Sequence, residues 1–191
     1  MKKRIGCMAL VLLLVMGLAA CGQREIKQSM TIQPSEFSEE TWKVLTIVED
    51  ELVFFDYEVD EIIRSKTIDI WQYQDGQWVS AGCAFGNLDS PKGRMAVRIN
   101  EAGYDIYTIN DDGFVRHSYD SQVDFSQVSA QSAKRLGEPT TITAGVEIPL
   151  WVQLGYADSK VEVGNAAGDF RQADCDEVLA VTITFNEEAM E

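Results

Sequence analysis

Hydrophobic and polar residues alternate with a period of two along most of the chain beyond residue 40. The alternation is clearest in Glu51–Asp60, Arg94–Asn100, Glu147–Leu154 and Val178–Phe185. A strand buried on one face has this pattern because successive side chains point to opposite faces of a sheet. Each of these segments is therefore predicted to be a strand with one buried and one solvated face.

Two Asp-Gly pairs predict tight hairpins between further strands, because glycine adopts the positive φ that such turns require. Asp75-Gly76 joins Thr67–Gln74 to Gln77–Ala84, and Asp112-Gly113 joins Tyr104–Asn110 to Phe114–Ser118. Trp42–Glu49 and Thr140–Thr143 are predicted as two more strands. The set of about nine to ten short strands, with little helix, predicts an all-β fold, an antiparallel β-sandwich.

Helical periodicity is scarce in the same part of the chain. Ser129–Leu136, which is closed by Gly137 and followed by Pro139, is predicted as a short helix. Tyr156–Asp176 is rich in Gly, Ala and Asp, and we expect a long loop with one brief strand at Val161–Val163.

The first twenty residues have a different composition. Lys2, Lys3 and Arg4 precede an apolar run of 16 residues, which is shorter than the about 18 that a spanning helix needs. The run ends in Leu18-Ala19-Ala20-Cys21. This arrangement resembles the type II signal peptide of bacterial lipoproteins, whose lipobox places small residues directly before a cysteine.

That resemblance implies that Cys21 is lipidated on its thiol and becomes the first residue of the mature chain. It divides the sequence into a signal peptide (1–20), a lipidated flexible tether (21–40) and a β-sandwich domain (41–191). The expected location is extracytoplasmic, on the cell membrane, with a Gram-positive surface preferred. The alternative is an uncleaved N-terminal anchor in which Cys21 is an ordinary small residue.

The mature chain is strongly acidic. Removal of residues 1–20, which hold three basic residues and no acid, would change the formal net charge from −15 to −18. Such a domain has no electrostatic attraction for phosphate backbones, so nucleic acid is excluded as a partner. A hydrophobic content of 46% argues against a disordered chain.

Candidate catalytic and metal-binding residues are few. His117 is the sole histidine and no Gly-x-Ser-x-Gly motif occurs, so we interpret it as a surface strand residue. The cysteines have no zinc spacing, and the acidic runs at 110–112 and 174–177 are better explained by turn chemistry than by a cation. We therefore expect no cofactor and no metal, while paired carboxylates keep a small hydrolase open.

Aromatic side chains provide the best indication of binding. Trp151 alternates with the apolar face of its strand and should point away from the core, and Trp71 and Tyr73 share one face beside Asp69. Exposed rings on a sheet can stack on sugars or receive a partner's side chain. The alternative is that a loop, a neighbouring strand or the second sheet covers them.

Cys83 and Cys175 are the cysteines left to the mature domain besides Cys21, and they lie 92 residues apart. An exported domain permits disulfides, so we predict a bridge between them. It would stabilise the fold by about 4–5 kcal/mol on the chain-entropy argument. The alternative is two unpaired thiols.

These observations favour a lipid-anchored, non-catalytic protein of the cell envelope that binds a protein or glycan partner. A carbohydrate- or cation-binding accessory module is the second hypothesis, and a small envelope hydrolase is the third. A pocket holding two acids, or His117 with a hydroxyl beside it, would favour the third.

Overall fold

Eleven strands form two sheets in the part of the chain that the computed structural model describes, namely residues 29–47, 51–74, 76–100, 103–120, 123–158 and 170–191. They are β1 Thr31–Pro34, β2 Glu51–Glu58, β3 Ser65–Gln74, β4 Gln77–Asn87, β5 Lys92–Asn100, β6 Gly103–Asn110, β7 Gly113–Asp120, β8 Ala130–Arg135, β9 Thr140–Thr141, β10 Ile148–Tyr156 and β11 Glu177–Asn186. A helix, α1, spans Glu39–Leu45, and 3-10 turns cover Phe125–Gln127 and Phe170–Gln172. The all-β sandwich is confirmed, with more strands than expected.

The first sheet has the order β7-β6-β5-β2-β1-β9, and the second has the order β4-β3-β11-β10-β8. Every neighbouring pair is antiparallel. Both Asp-Gly hairpins are confirmed: Gly76 has a φ of 77° between β3 and β4, and Asn110 pairs with Gly113 at the turn between β6 and β7.

Apolar side chains from alternate positions of both sheets fill the space between them. Their burial follows the period of two that the sequence shows, and it supplies the main driving force for folding. Fully buried members include Phe55, Met95 and Ile106 from the first sheet and Ile70, Leu150, Ile183 and Phe185 from the second.

A smaller apolar cluster lies on the opposite face of the second sheet. There Val152 and Leu154 of β10 belong to one buried cluster with Phe170, a residue of the second 3-10 turn. A β-bulge between Pro149 and Trp151 causes this arrangement, because the extra residue reverses the alternation along β10. Residues before the bulge face the main core, and Val152 and Leu154 face the smaller cluster.

The predicted strand at Trp42–Glu49 is wrong, because Glu39–Leu45 form the helix α1. Ser38 caps its N-terminus by accepting a hydrogen bond from the Thr41 N–H, and Glu39 pairs with Lys43 one turn later at 2.7 Å. These local contacts outweigh the strand propensity of the segment.

The predicted helix at Ser129–Leu136 is also wrong. Residues Ala130–Arg135 form β8, which pairs with β10 along its length and forms an edge of the second sheet. Backbone hydrogen bonds to β10, between segments that are distant in sequence, decide the conformation here.

The predicted tether is too long, because the folded domain begins before residue 41. Strand β1 pairs with both β2 and β9, and its Ile32 is completely buried in the main core. The strand expected at Val161–Val163 and the lipobox cysteine Cys21 lie outside the described residues. Within the described ranges, no helix has the length and apolar character needed to cross a membrane.

Candidate functional site

A buried lysine lies at one end of the sandwich. Lys66, near the start of β3, points into the space between the sheets on the same face as Ile68 and Ile70. The residue is only 5% exposed. Lysine is almost never fully buried unless it is paired, so this position needs an explanation.

The ammonium group of Lys66 is only partly satisfied by the protein. Nζ donates a hydrogen bond to the Tyr57 hydroxyl at 3.0 Å and lies 5.0 Å from the centre of the Tyr57 ring. An ammonium carries three donors, and among the described residues no carboxylate lies within ion-pair distance of it. Burial lowers the pKa of Lys66 to about 8, although the charge of Asp89 partly opposes this change.

Lys66 lines a large open cleft of about 660 Å³ at this end of the molecule. The cleft is formed by the ends of β2, β5 and β6 and by the connection from β4 to β5, and its lining includes Tyr57, Asn87, Asp89, Lys92, Arg94, Thr108 and Asp111. A smaller cavity of about 170 Å³ shares Lys66, Asn87 and Thr108 with it. Lys66 therefore stands where the two spaces meet.

The other basic side chains of the cleft are already neutralised. Arg94 forms a two-point contact with Asp56, at 2.6 and 2.9 Å, and Lys92 pairs with Glu58 at 3.0 Å. The Arg94 guanidinium holds the pKa of Asp56 below its usual value. Lys66 is thus the cation of the cleft that has no carboxylate partner among the described residues.

Gly93 makes room for the lysine's partner. A Cβ at Gly93 would overlap the Tyr57 hydroxyl oxygen, so a side chain there must displace the tyrosine. A Cβ at Gly86, which faces Lys66 from β4, would meet nothing within 4 Å.

We expect Gly93→Ala to lower the free energy of unfolding by about 1–3 kcal/mol, because overpacking forces buried side chains to shift. Gly86→Ala is the matched control and should change it by less than about 0.5 kcal/mol. Urea denaturation of the two variants measures both values. Equal stabilities would show that Tyr57 does not depend on the missing side chain at position 93.

The predicted binding aromatics lie elsewhere: Trp71 and Tyr73 are partly covered, and Trp151 is buried. Trp71 and Tyr73 do share a face, the outer face of the second sheet, where both are half-buried. The Arg171 guanidinium lies 4.7 Å from the centre of the Trp71 ring. Trp151 is buried in the main core with 2% exposure, so its outward orientation is wrong, because the β10 bulge turns it inward.

The disulfide prediction is corrected as well, since Cys83 and Cys175 are both free thiols. Cys83 pairs with Asp69, which pairs in turn with Thr182 in the middle of β11. Cys175 precedes β11 altogether. At about 3.3 Å per strand residue, the two positions lie well beyond the about 7 Å between Cα atoms that a bridge tolerates.

His117 and the acidic runs belong to strand and turn structure. His117 is exposed on β7 and lines the smaller cavity beside Thr108. Asn110 accepts a hydrogen bond from the Asp112 N–H at 3.2 Å, which is a turn contact. Asp176 accepts one from the Ala157 N–H at 2.7 Å, which joins the segment before β11 to the end of β10. In the described ranges, no group of three or more His, Cys, Asp or Glu could hold a metal ion.

Sequence reasoning missed Lys66, although a signal was present. In the segment Lys66-Thr67-Ile68-Asp69-Ile70, the lysine shares its face with two isoleucines. A period of two therefore places it on the buried side of the strand. Comparison with protein-family models, curated proteins and solved structures finds no match to this chain.

Proposed function

We propose that this chain is a lipid-anchored, non-catalytic binding module of the cell envelope, and that its ligand occupies the cleft around Lys66. The signal-peptide pattern that ends at Cys21 supports the anchor. The acidic charge of the β-sandwich supports a recognition domain that is repelled by an anionic membrane surface and therefore held away from it. The ligand site carries the specific part of the proposal.

One observation carries that part: a lysine that is only 5% exposed lines an open cleft of about 660 Å³ without a carboxylate partner in the described structure. Burying a cation destabilises a fold unless it is paired. Ionisable groups whose pKa is shifted and that line a cleft are concentrated at functional sites. The loss of folding stability that such a buried charge causes is explained when the charge serves to bind a ligand.

The test of the cleft is an NMR titration of the purified protein with small-molecule fractions released from the cell envelope. We expect amide shifts around Lys66 on β3 and around Gly93 on β5, and we expect them to disappear in Lys66→Met. Fractions that shift none of these resonances, or that shift them equally in Lys66→Met, would contradict the proposed site.

The anchor makes a separate prediction. The protein made with its full N-terminus should partition into the detergent phase of a membrane extract and incorporate a labelled fatty acid, because two acyl chains give stable anchoring. Cys21→Ser should lose the label and leave an uncleaved or soluble form. Cys83→Ser, a cysteine within the folded domain, is the control and should be labelled like the wild type. Unchanged labelling of Cys21→Ser would refute the lipid anchor.

A small hydrolase is the second candidate, because His117, Thr108 and Lys66 line the same smaller cavity. A nucleophile–base pair is normally recognised by a hydrogen bond between the two groups and a third group that orients the base. The His117 side chain makes no hydrogen bond in the described part of the chain. Hydrolysis of a chromogenic ester that is lost in both His117→Ala and Thr108→Val would favour this candidate over the binding module.

A further inference from the structure

We propose, on the basis of the proposed binding function, that the ligand of the Lys66 cleft is a monocarboxylate that carries a compact apolar group. The carboxylate would contact Lys66 and Tyr57 in the cleft, and the apolar group would enter the smaller cavity. Three features of the structure lead to this inference: the charge of the cleft, its unused hydrogen-bond donors and the lining of the smaller cavity.

The charge of the cleft favours an anion with a single negative charge. Lys66 offers one positive charge, while the two neighbouring cations are engaged with Glu58 and Asp56. Asp89 and Asp111 line the same cleft, and the chain as a whole carries a formal charge of −15. A phosphate dianion would be repelled by these carboxylates, whereas a monoanion is balanced by the one ammonium.

The donors of the site suit the two oxygens of a carboxylate. Lys66 Nζ uses one of its three donors on the Tyr57 hydroxyl oxygen. That oxygen accepts from the lysine, so the hydroxyl hydrogen of Tyr57 remains available to donate. Burial raises the pKa of Tyr57 to about 12, which keeps the hydroxyl protonated at neutral pH. One carboxylate oxygen on the ammonium and the other on the hydroxyl would satisfy both groups.

The smaller cavity suits an apolar group attached to that carboxylate. Ile68, Ala84, Gly86 and Val115 line it, and Lys66 stands at its junction with the cleft. Its volume is about 170 Å³, and an apolar space of about 150 Å³ is large enough to hold benzene. This cavity is open to solvent beside the exposed Phe85, Val115 and His117, so a ring would enter it from outside. A phenyl ring or a short branched aliphatic chain therefore fits, and the polar end of such a molecule would meet Lys66.

The experiment is calorimetric titration of the purified protein with benzoate, benzamide, phenyl phosphate and acetate. We expect benzoate to bind at least tenfold more tightly than each of the other three. Benzamide lacks the charge, phenyl phosphate is a dianion, and acetate lacks the apolar group. Binding of benzoate no tighter than that of benzamide or acetate would overturn the inference.

Two variants assign the contacts to the cleft. Lys66→Met should lower the affinity for benzoate at least tenfold and leave the affinity for benzamide unchanged. Gly86→Leu should fill the smaller cavity, because a Cβ at this position meets nothing within 4 Å. It should lower the affinity for benzoate at least tenfold and leave the affinity for acetate unchanged. Melting temperatures of both variants establish that they are folded, and equal benzoate affinity in a folded Gly86→Leu would overturn the proposed position of the ring.

A peptide C-terminus has the same chemistry as a free acid when its last side chain is apolar. Tripeptides that end in Phe, with a free or an amidated C-terminus, distinguish these two sources. Tighter binding of the free-carboxylate peptide than of benzoate would identify a peptide end, and the reverse would identify a small free acid. If no carboxylate binds but another compound binds in a Lys66-dependent manner, the ligand class is wrong and the binding module stands. If nothing binds in a Lys66-dependent manner, both fail.

Discussion

Replacement of Lys66 by methionine is expected to raise the free energy of unfolding at pH 7 by about 2–3 kcal/mol, although it removes the key group of the cleft. Burial lowers the pKa of this lysine from 10.5 to about 8. A difference of one in pKa between the folded and unfolded states corresponds to about 1.4 kcal/mol of free energy. Methionine has a similar length, fills the same space and needs no charge. Loss of the hydrogen bond to Tyr57 offsets part of the gain.

The pH dependence of this gain follows from the lowered pKa. The folded state binds the Lys66 proton less tightly than the unfolded state, so the cost of charging is fully present below about pH 8. Between pH 8 and 10.5 the wild type should become more stable relative to Lys66→Met as pH rises, because the unfolded state alone still holds the proton. Other titrating groups, such as the Cys83 and Cys175 thiols, cancel in the difference between the two proteins.

Urea denaturation of both proteins at several pH values from 6 to about 10 measures this difference. Lys92→Met is the matched control, because Lys92 lines the same cleft but its side chain is 67% exposed. Its stability should stay within about 0.5 kcal/mol of the wild type at every pH. A destabilised Lys66→Met would mean that the ammonium already has an adequate partner in the fold, and the argument for a ligand would lose its main support.

The sandwich was predictable from the sequence because local chemistry and the alternation of side chains agree over most strands. Val178–Phe185 lies in β11 with the predicted residues inward, and Gly76 lies at the turn of the predicted hairpin between β3 and β4. Both features depend only on neighbours in sequence: the pleat of a strand and the positive φ of a glycine.

The errors arise where a distant part of the chain decides the outcome. Ala130–Arg135 becomes a strand because β10 is available to pair with it. Trp151 turns inward because the β10 bulge adds a residue between paired positions. A bulge leaves the composition of a strand unchanged, so an alternating pattern gives no indication of it.

The candidate site could be predicted only in part. The sequence places Lys66 on the buried face of a strand, but it does not show that Tyr57 and Gly93, from the other sheet, lie opposite it. Nor does it show that Cys83 and Cys175 are too far apart to pair. These facts depend on how two sheets stack, which is a property of the tertiary structure rather than of any segment.

The second large effect is expected at the ion pair on the outer face of the second sheet. Glu147→Ala should lower the free energy of unfolding by about 2–3 kcal/mol, since it leaves partly buried donors without their acceptor. The Glu147 carboxylate accepts hydrogen bonds from Arg171 at 2.5 and 3.0 Å, from Trp71 Nε1 at 2.9 Å and from the Thr182 hydroxyl at 2.8 Å. Only 28% of its side chain is exposed.

Lowering the pH should reduce the free energy of unfolding of the wild type in the same way, because it protonates the Glu147 carboxylate. Burial alone would raise the pKa of Glu147, but the hydrogen bonds from Arg171 and Thr182 outweigh it and lower that pKa from 4.5. The stability that this carboxylate contributes is therefore fully present above about pH 4.5 and is lost as pH falls through the lower, folded-state value. Glu147→Ala has no carboxylate at this position, so this part of the fall in unfolding free energy at low pH should be absent from it.

Denaturant unfolding with tryptophan fluorescence measures both effects, because Trp71 and Trp78 lie 4.7 and 5.9 Å from the Arg171 guanidinium. Glu39→Ala is the control: it removes an exposed ion pair with Lys43 and should cost less than about 0.5 kcal/mol. The double variant Glu147→Ala/Arg171→Ala should be less destabilised than the sum of its two single changes, because both remove one shared interaction. Additive losses would show that the carboxylate and the guanidinium stabilise the outer face independently, and that Glu147 acts chiefly through Trp71 and Thr182.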